Sequence, residues 1–339
     1  MTKQKKNSFT PDLLTGRLTE TDAKRYFSRF GWFAFAMLLL TTLFQMIIDV
    51  IVYYCFPAFY GHFLFAEILS FVPLYCLALP LAGLILRPLP TVVPLKAKMG
   101  AGKWFCGLCI CITLMLGGNY ISQIILTFFQ TLRGDIMENP VEQVVNSMPL
   151  WATFVFVVIL APILEELFFR GIVCKKLLAV GEGYAIVISA AFFGLFHGNF
   201  FQLFYAFALG CFFAFIYVKT GKLINSILYH MAINFLGGFV APLILRFIDL
   251  DAFLEGDINI SQILENIIPL LGLLWYELLM YGMAIAGIVL IIKNLRQFKP
   301  QAGLLPPPEK GRVSVVLLNV GVAAAITVFS LTLVSSLLM

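Results

Sequence analysis

The chain has 339 residues, 61% of them hydrophobic and 12% charged, with a formal net charge of +5 and a mean hydropathy of +0.95. That composition excludes a soluble domain, and several apolar runs exceed the ~18–20 residues that cross a bilayer as a helix. The runs lack the every-second-residue pattern of a membrane β-barrel, which leaves an all-α polytopic membrane protein.

Residues 1–29 are a polar tail bearing Lys3, Lys5, Lys6, Arg17, Lys24, Arg25 and Arg29, expected in the cytosol. No cleavable signal peptide is expected, because the tail is followed by no small-residue cleavage site. About nine transmembrane helices follow, near 30–55, 63–86, 103–130, 149–174, 183–198, 199–218, 223–246, 267–292 and 313–336. The split at His197-Gly198-Asn199 makes the fifth and sixth spans short. Residues 30–147 form an N-terminal set of helices, 148–246 a candidate catalytic core, and 247–299 an outer acidic loop with the eighth span. Residues 300–312 are a proline-rich cytosolic linker, expected to be stiff, and 313–339 a last, uncharged helix.

Loop charges test the count. Arg87, Lys96, Lys98, Lys103, Lys175, Lys176, Lys219, Lys222, Lys293, Arg296, Lys299, Lys310 and Arg312 fall in one alternating set of loops. The other set holds Arg133 and Arg246 among Asp135, Glu138, Glu142, Asp249, Asp251, Glu255 and Asp257. The positive-inside bias then predicts a multi-pass cell-membrane protein, N-terminus cytosolic and C-terminus outside. Six of the seven cysteines (Cys76, Cys106, Cys109, Cys111, Cys174 and Cys211) sit in apolar runs and read as buried small hydrophobes. Cys106 and Cys109 have zinc-like spacing, but no histidine is near them in sequence.

Three polar groups interrupt the apolar runs: Glu165, Glu166 and Arg170 in the fourth span, His197 at the end of the fifth, and His230 with Asn234 in the seventh. Glu166 and Arg170 are i,i+4 neighbours and pair on one helix face. Glu165 is turned about 100° from Glu166 and points elsewhere. Counted from the basic loops at 1.5 Å per residue, the three groups fall in one slab between the cytosolic half and the midplane, so they can converge on one cavity. A carboxylate, two imidazoles and an amide suit water activation and oxyanion stabilisation. Glu165, His197 and His230 equally suit a three-ligand zinc site. Asp49, Glu67 and Glu277 fall in the outer half and read as interfacial or structural, and Phe193 reads as packing.

The motifs Glu165-Glu166-Leu-Phe-Phe-Arg170-Gly171, Phe193-Gly-Leu-Phe-His197-Gly-Asn and His230-Met-Ala-Ile-Asn234 resemble those of the CAAX-protease and bacteriocin-processing (CPBP, or Abi) family of intramembrane proteases. The resemblance covers about residues 148–240. It implies an α-helical core that cuts peptide bonds near the cytosolic side of the membrane. Glu165 and His197 would activate water, His230 and Asn234 would form the oxyanion site, and Glu166 and Arg170 would support them. A glutamate mechanism without cofactor is expected, with Zn2+ at Glu165, His197 and His230 as the alternative. The expected partners are a membrane protein or peptide substrate and the lipid bilayer, not nucleic acid. Competing readings are a non-catalytic scaffold or bacteriocin-immunity protein, and a transporter. The transporter reading lacks the paired broken helices of an inverted repeat.

Overall fold

The computed structural model describes residues 9, 11–12, 14–248 and 260–338. Lys3, Lys5, Lys6, Asp249, Asp251, Glu255 and Asp257 lie outside the described residues. The described chain is a helical bundle. In order, its helices are α1 (Glu20–Cys55), α2 (Phe63–Leu86), α3 (Ala101–Arg133), a short α4 (Pro140–Ser147), α5 (Leu150–Leu177), α6 (Glu182–Phe196), α7 (Phe200–Thr220), α8 (Leu223–Leu245), α9 (Ile260–Asn294), α10 (Arg312–Leu317) and α11 (Val320–Leu338). Among the described residues, eight helices are long and apolar enough to cross a membrane.

Two of the nine expected spans differ from expectation. The fifth, α6, has 15 residues, or ~22 Å of rise against a hydrocarbon core of ~30 Å. It rises only part of the way and turns back into α7 at the tip His197-Gly198-Asn199, where Gly198 takes φ +67°. Asn199 caps α7 by accepting from the Gln202 amide at 3.0 Å. The last span is broken rather than continuous. Asn319 donates to the Val315 and Val316 carbonyls and accepts from the Val322 amide, ending α10 and starting α11.

Helix α7 is the hub. It lies between a core of Tyr26, Phe30, Phe169, Phe193 and Tyr217 and a second core of Ile112, Phe213, Tyr229, Ile233 and Met280. A Cβ on Gly118 of α3 would collide with the Tyr205 backbone of α7, so glycine sets that close crossing. Helix α11 packs on α1, where Gly31 meets the Gly321 backbone and the Gly321 amide donates to Ser28 Oγ at 3.0 Å.

The loops expected to share a side do meet. Val92 N–H donates to the Lys175 carbonyl at 2.9 Å and Ala97 N–H to the Thr220 carbonyl at 2.8 Å. Lys219 pairs with Glu182 at 2.6 Å, and Glu182 N–H reaches the Gln301 carbonyl at 3.0 Å. The proline-rich segment is a docked strap: Leu305 N–H donates to Ala179, Leu18 N–H donates to Pro306, and Arg17 pairs with Glu309 at 2.7 Å. At the opposite end Arg246 donates to the Val145 and Met148 carbonyls, and Arg133 to the Leu337 carbonyl.

All seven cysteines are free. Cys109, Cys111 and Cys174 are buried, but Cys76 and Cys106 are exposed on the helix surface, against the expectation of burial. A small apolar-tolerant thiol suits a lipid-facing position as well as a protein interior, so the sequence did not separate the two.

Candidate active site

Three of the helices around the site are locally widened. π-Helical turns occupy Val72–Ala78 in α2, Phe154–Leu160 in α5 and Leu236–Val240 in α8. Each ends two residues before a proline: Pro80, Pro162 and Pro242. Proline offers no N–H and crowds the carbonyl four residues back, so the helix opens there. In α5 the wide register would pair the Val157 carbonyl with position 162, which is proline. Asn234 Nδ2 of α8 donates to that carbonyl at 2.9 Å. The backbone oxygen freed by Pro162 thus anchors a site residue from another helix, as buried helix defects require.

Glu165 and Glu166 are adjacent yet live apart. Glu166 and Arg170 are fully buried and ion-paired at 2.8 Å, as the i,i+4 spacing predicts. Arg170 Nη2 also donates to the Gly210 carbonyl of α7 at 3.1 Å, and the guanidinium lies 4.5 Å from the Phe193 ring centroid and 5.5 Å from that of Phe213. Glu165 instead lines a cavity of about 420 Å³, together with His197, His230 and Asn234. All four expected residues therefore share one space.

The hydrogen bonds fix which atoms face it. Tyr75 Oη donates to Glu165 Oε1 at 2.8 Å, while Glu165 Oε2 has no hydrogen-bond partner. His197 Nδ1 lies 2.8 Å from the Phe193 carbonyl. A carbonyl only accepts, so Nδ1 carries the proton and a neutral His197 keeps its Nε2 lone pair. His230 Nδ1 is 3.2 Å from Glu166 Oε1 and its Nε2 is 3.7 Å from Glu165 Oε2. The Glu166–Arg170 pair thereby orients His230, whose ring stacks on Phe213 at 5.2 Å. Phe193, read from sequence as packing, supplies the carbonyl that sets the His197 tautomer.

Among the described residues, no three His, Cys, Asp or Glu side chains are grouped to hold a metal ion.

The lining also holds residues the sequence did not single out for the site: Tyr75, Gln202, Tyr205 and Glu67. Glu67 corrects an expectation. It is 5% exposed and faces the cavity rather than an interface. Its axial position was legible, but the face it points from was not. With Ser70, Phe71, Leu74 and Tyr75 it forms an i, i+3, i+4, i+7, i+8 stripe, and that periodicity was the available signal. The cavity extends beyond the expected slab: Pro140 and Val145 of α4 line it too, at the end opposite the basic loops. A separate apolar groove of about 660 Å³ between α2 and α5 begins at the same Tyr75 and runs to Arg87 and Lys175.

Residues 147–236 match the model of the Rce1-like family, described as type II CAAX prenyl endopeptidase Rce1-like. The match contains all three motifs, so over that segment the chain is similar to the family they resemble. No curated protein and no solved structure matches the chain.

Proposed function

We propose that this chain is an intramembrane endopeptidase that hydrolyses a peptide bond of a membrane-associated protein or peptide with water activated by Glu165. The observation that carries the reading is the division of labour at that carboxylate: Tyr75 holds Oε1, and Oε2 is left without a hydrogen bond on a cavity shared with His197, His230 and Asn234.

A water molecule in the cavity donates one hydrogen to Glu165 Oε2 and the other to His197 Nε2, and its oxygen lone pair attacks the scissile carbonyl carbon. The C–O bond forms as the water proton passes to Glu165, and the carbonyl π pair moves onto oxygen. His230, held at Nδ1 by Glu166, presents its Nε2 side to that oxyanion as a hydrogen donor. Asn234 uses one amide hydrogen on Val157 and has a second to offer. Collapse breaks the C–N bond, and Glu165 returns the proton to the leaving nitrogen. One product ends in a carboxyl group and the other in an amine. No step passes through a metal. The groove from Tyr75 to Lys175 suits an apolar part of the substrate lying beside the cut segment.

The test is cleavage of membrane precursors by purified protein, with substrates found by comparing cells that carry wild-type protein or Glu165→Gln. We expect Glu165→Gln, His197→Ala and His230→Ala each to lower the rate by about 10²–10⁴-fold. Survival of activity in all three would remove the reading. Activity is expected to persist in strong chelator, in protein free of stoichiometric zinc. One tightly held zinc per chain, with activity lost on its removal, would replace the glutamate mechanism with a metal one.

A further inference from the structure

The catalytic cavity holds a second carboxylate that the mechanism does not use. Glu67 is 5% exposed, and among the described residues no hydrogen bond or ion pair satisfies it. A buried, unpaired carboxylate in a membrane helix is expensive, and a fold that merely tolerated one would pair it. Glu166, buried in the same protein, is paired with Arg170. Glu67 lies beyond the first turn of α2, where the favourable helix dipole has faded. Its neighbours on the cavity wall are uncharged: Ser70, Asn199 and Gln202. No lysine or arginine lines the cavity among the described residues. Asn199 and Gln202 are hydrogen-bonded to each other and Ser70 to the Ala66 carbonyl, so among the described residues no group supplies Glu67 with a counter-charge.

The spacing to the cut site is defined. Tyr75, two turns further along the same face of α2, touches Glu165 at 2.8 Å. From position 67 to position 75 a helix rises ~12 Å. An extended peptide covers that distance in about three to four residues. We propose that Glu67 is a specificity subsite that receives a basic group of the substrate, a lysine ammonium or arginine guanidinium, about three to four residues from the bond that is cut. The proposal rests on the hydrolase reading for its distance from the cut, but not for the binding of the cation.

The probes are synthetic 14-residue apolar peptides in which one lysine is moved position by position. Norleucine replaces lysine in the controls, and the N-terminus is either acetylated or free. Full-length protein in lipid nanodiscs is compared as wild type, Glu67→Gln and Glu67→Lys, with cut positions read by mass spectrometry. The same peptides, dye-labelled, are titrated by anisotropy onto Glu165→Gln and onto Glu165→Gln/Glu67→Gln. We expect cleavage by wild type to favour lysine at one fixed offset of three to four residues. Glu67→Gln should lose that preference by about tenfold or more, the scale of a charge-assisted contact. Glu67→Lys should transfer the preference to glutamate at the same offset, a gain that misfolding does not produce. Preference for a free N-terminus over the acetylated form would identify the α-amine as the group bound. Cleavage without any charge preference at that offset overturns the subsite. If no peptide is cut, the hydrolase reading fails, and the anisotropy decides the subsite alone: lysine-dependent binding lost with Glu67 upholds it, and equal binding of lysine and norleucine peptides overturns it.

Discussion

At Glu165 one oxygen accepts from a tyrosine and the other has no hydrogen-bond partner, with His230 Nε2 3.7 Å away, although the residue is only 6% exposed. A hydrogen bond to a charged group contributes about 1.5–3 kcal/mol. Tyr75→Phe removes the donor and lets the carboxylate swing, so we expect kcat to fall by about tenfold or more with the helix content and melting temperature unchanged. Unchanged kcat would show that Tyr75 only packs. Glu166 and Arg170 act on each other and on His230. Arg170→Met leaves Glu166 buried without its counter-charge, a loss of about 3–5 kcal/mol for a broken buried pair. Thermal unfolding in detergent should show a large drop for Arg170→Met and a smaller one for Glu166→Gln/Arg170→Met. Equal drops would mean the charge pairing is not what matters.

The helices show where sequence was sufficient and where it was not. Glu166–Arg170 was legible because i,i+4 spacing makes the pair within one helix. The gathering of Glu165, His197, His230 and Asn234 was legible because depth counts along each helix from its basic loop. Which face of α2 and α3 meets protein rather than lipid was not read, although a stripe from position 67 to 75 carried it in α2, so Glu67 and Tyr75 were missed and Cys76 and Cys106 were taken as buried. The shortness of α6 was legible at the His197-Gly198-Asn199 split, and the helix has 15 residues. The use made of the wide turn in α5 was unreadable for a further reason: the Asn234 bond to the freed Val157 carbonyl joins two helices, and no local pattern encodes it. Pro162→Ala restores an N–H to α5 and competes for that carbonyl. We expect the melting temperature to hold or rise, since proline costs about 3 kcal/mol against alanine in a helix interior, while kcat falls. A lower melting temperature with full activity would sink this account of the turn.

The bundle as a whole has two chemically distinct ends, and the strap Gln301–Pro308 ties helices from both halves of the chain at the basic one. The C-terminal helix is bolted to α1 where Gly31, Gly321 and Ser28 meet backbone to backbone. Gly321→Leu should force the two helices apart and lower the melting temperature by several degrees, because overpacking costs about 1–3 kcal/mol. A variant that melts like the parent would place α11 off this surface.

The cavity that begins at Glu165 ends beneath α4, away from the lysine-rich face. With that face toward the cytosol, a polypeptide threaded through the chamber would be severed into pieces with different fates. The fragment held past Glu67 would leave toward the exterior, and the remainder would stay with the lipid. In sealed vesicles, an impermeant maleimide reaching Ser70→Cys from one side alone would tell which compartment receives that fragment.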